Sequence, residues 1–313
     1  MIEATHLTKQ YGNANALFDV NFSIDKGEVV GFLGPNGAGK STTMNLLCGY
    51  LTPSWGQVKI AGIDMVENPL EAKRHIGYLP EIPPLYMDMT VAEQLEFACE
   101  LRGLKLKKPQ LRDYIDSLCA RTQVLDTRDR LIRNLSKGYR QRVSVTQLLV
   151  GEPEILILDE PTVGLDPRQI REFRDLLSEL SHEHTIILSS HILSEISSVC
   201  KRILVFYEGM LIADGEPQSL QEQLAGHRVL EVEISGEEAG VSALLQGIPD
   251  VLAVKSVGNG VYQVAHRMGT DIRGALYRTL RPTGYELLMM KPEEVSLESL
   301  YLRITEHEQE MEA

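Results

Sequence analysis

Short runs of alternating apolar and polar positions fill residues 2–33. Within them ALFDVNFSI and EVVGFL read as strands, parted by a turn at Asp25-Lys26-Gly27. From Gly39 the apolar spacing lengthens to that of a helix through Leu46 and Leu47, and Gly49 and Pro53 then stop it. QVKIAG predicts a short strand. Residues 69–150 are mostly helical in period, broken by the Pro80–Pro84 stretch and by Pro109. Glu154–Leu158 is a compact apolar strand, 167–181 a helix, and TIILSS a second buried strand. Another helix starts near 191, and RILVFYEG reads as one arm of a hairpin.

The pattern changes near Leu224–His227. Beyond it come a strand at 229–234, a helix at 237–247, strands at 251–257 and 260–265, a helix at 270–281 and a strand at 285–290. That βαββαβ order predicts a small ferredoxin-like α+β domain, with Gly258-Asn259-Gly260 as a tight hairpin between its middle strands. SLESLYLRI predicts a closing helix, and EHEQEMEA is an acidic tail. The chain therefore divides into domains at 1–224 and 228–313, with a helical subdomain at about 82–150. The first domain is α/β. No metal or catalytic spacing occurs in the second, where His266 and His307 stand alone.

Length and charge narrow the reading. The 313 residues suffice for two domains. With 31 Lys and Arg against 44 Asp and Glu, the net charge of −13 argues against a dedicated nucleic-acid binder, which needs clustered cations. Apolar runs such as ILIL fall far short of the ~18 residues of a membrane span. The opening MIEATHLTKQ lacks the apolar stretch of a signal peptide. Four scattered cysteines, with no C-x-x-C pair, suit buried thiols in a reducing cytosol.

The chemistry concentrates in two segments. GPNGAGKS, Gly34–Ser41, matches G-x-x-x-x-G-K-[ST] and lies between a predicted strand and a predicted helix. Its glycines let backbone N–H groups close on phosphates, and the helix that follows points its positive end at them. Lys40 then reaches the β- and γ-phosphates, and Ser41 ligates Mg²⁺. ILILDE, Ile155–Glu160, is a buried strand ending in two carboxylates, where parallel sheets place their ligand groups. Asp159 suits support of Mg²⁺, and Glu160 suits a general base for the attacking water. Alone the pair would read as helix-capping acids; beside a phosphate loop it reads as chemistry.

LSKGYRQR (Leu135–Arg142), Gly164-Leu165-Asp166 and His191 at the end of an apolar strand complete an ordered set. With them, residues 1–220 resemble the ATP-binding cassette (ABC) transporter ATPases, closest to the bacterial multidrug and gliding-motility export type. The resemblance implies a P-loop NTPase fold with a mixed sheet core, an antiparallel β subdomain and a helical subdomain. It implies that Gly34, Pro35, Asn36, Gly37, Ala38, Gly39, Lys40, Ser41 and Thr42 bind ATP, with Mg²⁺ at Ser41, Asp159 and Glu81. Glu160 and His191 are then catalytic, the histidine holding the γ-phosphate. Tyr11 stands where the family stacks an aromatic on adenine, although a strand-edge tyrosine is the plainer alternative. Ser136 and Gly138 belong to the signature that meets ATP held by a second subunit, and Asp166 to the loop that crosses the dimer.

Two departures from the family stand out. Lys137 and Tyr139 replace a glycine and the glutamine of the usual LSGGQ, while Ser136 and Gly138 remain. Glu81, in IGYLPE, replaces the common glutamine, so a carboxylate stands beside the triphosphate; a carboxylate can also ligate Mg²⁺. The resemblance further implies a homodimer with a second ATPase copy. A separately encoded membrane permease would dock on the segment from Glu81 to about Ala98, which carries the apolar Ile82, Leu85, Tyr86, Met87 and Met89, with the chain peripheral on the cytoplasmic face of the cell membrane and export as its task. Apolar residues in that stretch equally suit the core of the helical subdomain. Two other readings stay open: a soluble ABC ATPase of translation or DNA repair, and an ATP-binding switch that does not turn over. The single cassette and the absence of a sustained heptad run count against the first, and the presence of Glu160 and His191 against the second.

Overall fold

The computed structural model describes residues 1–220, 227–267 and 269–293. The chain forms two compact units, Met1–Gly215 and Glu216–Ala313. The expected boundary at 224–228 falls largely on residues outside those described, as do the closing helix SLESLYLRI and the acidic tail.

The first unit has two sheets. Strands β1 (Ile2–Tyr11), β2 (Ala14–Ile24), β4 (Trp55–Ile60) and β5 (Ile63–Asp64) make an antiparallel sheet in the order β2-β1-β4-β5. The second contains β3 (Val29–Leu33), β6 (Ile76–Leu79), β7 (Ile155–Leu158), β8 (Thr185–Ser190), β9 (Arg202–Tyr207) and β10 (Met210–Gly215), in the order β10-β9-β3-β8-β7-β6. All its pairings are parallel except β9 with β10. Its inner strands read as unbroken apolar runs because both faces are covered. Phe32 on β3 joins the sheets, with ring centroids 5.6 Å from Phe22 and 4.9 Å from Phe206. Each such fully buried aromatic contributes about 1.5–3 kcal/mol.

Parallel register decides where the chemistry goes. Leu33 pairs with Ser190, and Leu79 with Leu158. The strands β3, β6, β7 and β8 therefore end along one edge and release Gly34, Pro80-Glu81, Asp159-Glu160 and His191 side by side. Segments more than a hundred residues apart in sequence become neighbours there.

Helices α1 (Lys40–Leu47) and α2 (Pro69–Ala72) precede β6, and α3 (Val91–Leu101), α4 (Lys108–Arg121) and α5 (Lys137–Leu148) follow it. Two sequence expectations need correction here. IGYL within the supposedly helical 69–150 stretch is strand β6: four residues are too few to show a period, and only pairing with β7 reveals them. Pro109 does not break a helix; it sits in the first turn of α4, where its missing N–H costs nothing. Helix α6 (Pro167–Leu180) is capped by Asp166, which accepts from the N–H groups of Arg168 and Gln169, and α7 (Leu193–Ser197) is short. All four cysteines are buried and free. Burial pushes the Cys99 and Cys119 thiols up to about 11.

The second unit follows the βαββαβ pattern: β11 (His227–Ser235), α8 (Glu238–Gln246), β12 (Val251–Gly258), β13 (Val261–Arg267), α9 (Arg273–Leu280) and β14 (Glu286–Glu293). Its antiparallel sheet runs β12-β13-β11-β14, the ferredoxin-like order. Asn259 (φ 52°) and Gly260 (φ 78°) make the two-residue turn between β12 and β13, a conformation Asn-Gly adopts at little cost. Val232, Ile234, Tyr262, Val264 and Leu276 form its core.

Candidate nucleotide site

The first element of the site is the loop that leaves β3. Gly39 has φ 103°, and a Cβ there would lie 2.6 Å from Leu17 Cδ2, so only glycine lets this turn pass beneath β2. It begins α1 with no side-chain cap, which leaves the helix's first N–H groups free for an anion. Lys40 is buried, and its ammonium donates to the carbonyls of Gly34 at 2.6 Å and Pro35 at 3.0 Å. It also stands 3.5 Å from Glu160 Oε1. Burial lowers its pKa, and the Glu160 charge pulls it back up.

The two carboxylates are fixed differently. Asp159 Oδ1 accepts from Ser41 Oγ at 3.2 Å and from Ser189 Oγ at 2.6 Å. The backbone N–H of Glu160 donates to the same Ser189 hydroxyl at 2.8 Å. Glu160 adopts φ 46°, a left-handed backbone that costs a side-chain-bearing residue about 1–3 kcal/mol and recurs at functional sites. Its Oε2 meets His191 Nδ1 at 2.9 Å, while Oε1 is buried without a hydrogen-bond partner among the described residues. The charge that this buried oxygen faces is the Lys40 ammonium at 3.5 Å.

A cavity of about 380 Å³ is lined by Pro35, Asn36, Gly37, Gly39, Lys40, Ser41, Thr42, Glu81, Glu160 and His191, together with Val163. Ten of the expected site residues therefore share one concavity. Gly34 and Asp159 stand behind it, bonded to Lys40 and Ser41, and Ala38 is buried. Tyr11 is not in the lining: it ends β1, half exposed, with the Lys9 ammonium 5.3 Å from its ring centroid. Ser136 and Gly138 line a different cavity, of about 600 Å³, with Asp166 and Gln169. Ser136 Oγ caps α5 by accepting from Tyr139 N–H at 3.3 Å. Lys137 leans on Gly164, where a Cβ would lie 2.0 Å from its ammonium nitrogen.

Two positioning residues escaped the sequence reading. Ser189 ties the Asp159 carboxylate to the backbone N–H of Glu160. Glu195 Oε2 accepts from Thr162 Oγ1 at 2.5 Å and Ser190 Oγ at 3.2 Å, tying the turn after β7 to the segment carrying His191. A signal was present: two serines close the otherwise apolar TIILSS, and buried hydroxyls need partners. Ser41 and Asp159 offer a hydroxyl and a carboxylate 3.2 Å apart, hard oxygens that suit Mg²⁺. No cluster of three or more His, Cys, Asp or Glu among the described residues could hold a metal alone, so the donor set fits an ion shared with phosphate oxygens.

The family model described as ABC transporter matches residues 17–163. The bacitracin transport ATP-binding protein BcrA of Bacillus licheniformis is 32% identical over 97% of this chain and 97% of its own. The Nod factor export ATP-binding protein I of Rhizobium meliloti is 30% identical over 98% of this chain and 88% of its own. The dimeric structure of a bacterial ABC transporter cassette matches with a TM-score of 0.63 at 25% identity, over 69% of this chain and 98% of that one. The fold and site thus define a nucleotide-hydrolysing cassette. The chain belongs to the ABC transporter family as an ATP-binding subunit, and it is an ATPase.

Proposed function

We propose that this chain powers an exporter whose membrane-spanning part is a separate subunit, and that two copies close on ATP. The observation carrying the catalytic part is the linked row Lys40–Glu160–His191 on one cavity, beside the uncapped start of α1. When ATP enters, the Lys40 ammonium exchanges the carbonyls of Gly34 and Pro35 for phosphate oxygens, helped by the N–H groups of Gly37 to Thr42. Ser41 and Asp159 would hold Mg²⁺, with Glu81 offering an oxygen at the rim, and the ion would supply charge neutralisation of the phosphates. Glu160 takes the proton of the attacking water, and His191 steadies that carboxylate and meets the γ-phosphate. Tyr11 stacks on adenine.

Ser136 and Gly138 of one copy complete the site of the other, with Asp166 crossing between copies. The exposed trio Ile82, Tyr86 and Met87 is the docking surface for the membrane subunit, at the cytoplasmic face of the membrane. Export rests on relatives named for bacitracin transport and Nod factor export. The C-terminal unit is an accessory domain. Glu160→Gln is the test: it should still bind ATP while steady-state turnover falls about 10²–10⁴-fold, the range for losing a general base. Turnover at the wild-type rate would remove Glu160 from the mechanism.

A further inference from the structure

We propose a second anion site in the first unit, taking a small, multiply charged phosphate compound. It is a cavity of about 940 Å³ beneath the start of β3, flanked by the second half of α6 and the segment before β9. None of its lining residues belongs to the nucleotide cavity. The triphosphate loop leaves the far end of β3, and Asp166 caps the far end of α6.

The lining is cationic in a chain of net charge −13. Arg171 and Arg174 lie three residues apart on α6, on adjoining turns of one face, and Lys201 and His182 join them. Arg202 is already neutralised, held by Asp214 at 2.6 Å and Glu28 at 3.3 Å. That leaves Asp175 as the one lining acid not so engaged among the described residues, facing three cations. Arg171, Arg174 and Lys201 have no ion-pair or hydrogen-bond partner among the described residues. The Arg174 Nε is moreover buried with its donor unmet.

A buried guanidinium donor without a partner costs free energy, and so do clustered cations without counter-charge. Both costs vanish when a phosphate enters, because the guanidinium fork matches phosphate oxygens two at a time. The volume exceeds that of the nucleotide cavity and admits a polyphosphate or phosphorylated metabolite. The concave shape favours a soluble ligand over a flat bilayer surface.

The test is calorimetric titration of sodium tripolyphosphate into the full chain carrying Lys40→Ala, which disables the nucleotide loop. One equivalent should bind. Adding Arg171→Gln, Arg174→Gln and Lys201→Gln together should weaken it by at least about tenfold, since hydrogen bonds to charged groups are the strong ones. Arg174→Lys alone, which keeps the charge and loses the fork, should fall between. Melting curves identify any variant that fails to fold, and Arg174→Lys then decides alone. No binding to the Lys40→Ala chain, or affinity unmoved by all these changes, overturns the site. Binding to phosphatidylglycerol vesicles through the same three residues, with none to tripolyphosphate, overturns the soluble ligand in favour of a lipid headgroup.

Discussion

The cavity around Lys40 and the cavity beside Ser136 differ in how their polar groups are held. Around Lys40 every key group is tied to a distant segment: Ser41 to Asp159, Asp159 to Ser189, Glu160 to His191 and Lys40. Beside Ser136 the hydroxyl is exposed and bonds only within its own helix turn. The first cavity is preorganised by the core sheet, which is what charge stabilisation in catalysis requires. The second presents donors outward, as half of a site does. On the proposed reading, one chain carries a finished binding pocket and a surface that acts on a pocket elsewhere.

Substitutions can break this contrast. Beyond Glu160→Gln, the largest effect should come from Ser136→Ala: about 10²-fold lower turnover, by analogy with losing one transition-state donor, with ATP affinity of the isolated chain unchanged. Equal loss of affinity would mean that Ser136 serves its own chain's ATP. Ser189→Ala should be the opposite case. It strips a partner from both Asp159 and the Glu160 N–H, so stability should drop by about 1–3 kcal/mol, read as a lower denaturation midpoint, alongside slower turnover.

Smaller effects sharpen the picture. Glu81→Gln should keep most ATPase activity, because the residue is exposed at the rim and its replacement still offers an oxygen. A complete loss would show that the carboxylate itself is needed. Far from either cavity, His184 is buried, with Nδ1 2.8 Å from the Pro153 carbonyl and Arg121 beside its other nitrogen. Burial lowers its pKa below the ordinary 6.5. The unfolded chain therefore binds the proton first as pH falls, so this contribution to stability is intact above 6.5 and declines below it. Thermal melts between about pH 7 and pH 5 should show a decline that His184→Asn reduces.

The parts of the site legible in the sequence are those whose chemistry is local. Gly34–Thr42 announces itself because one loop supplies glycines, lysine and hydroxyls together, and ILILDE because an apolar strand ends in two acids. The βαββαβ order of the second unit was equally legible, since each element there has its own period and Asn259-Gly260 fixes a turn. What escaped depends on partners far along the chain. Strand β6 is visible only through β7, and Ser189 matters only because register sets it beside a carboxylate 30 residues earlier. Lys137 reads in the sequence only as a side chain in place of a signature glycine; its contact with Gly164 joins two motifs 27 residues apart, which no local pattern encodes.

In the proposed mechanism, one chain's finished pocket is completed by another chain's exposed signature. Light scattering of Glu160→Gln after size exclusion, with and without Mg-ATP, tests it most directly. A monomer is expected without nucleotide and a dimer with it, lost again when Ser136→Ala is added. A chain that binds Mg-ATP yet stays monomeric, or dimerises equally without it, does not complete its pocket with a second copy.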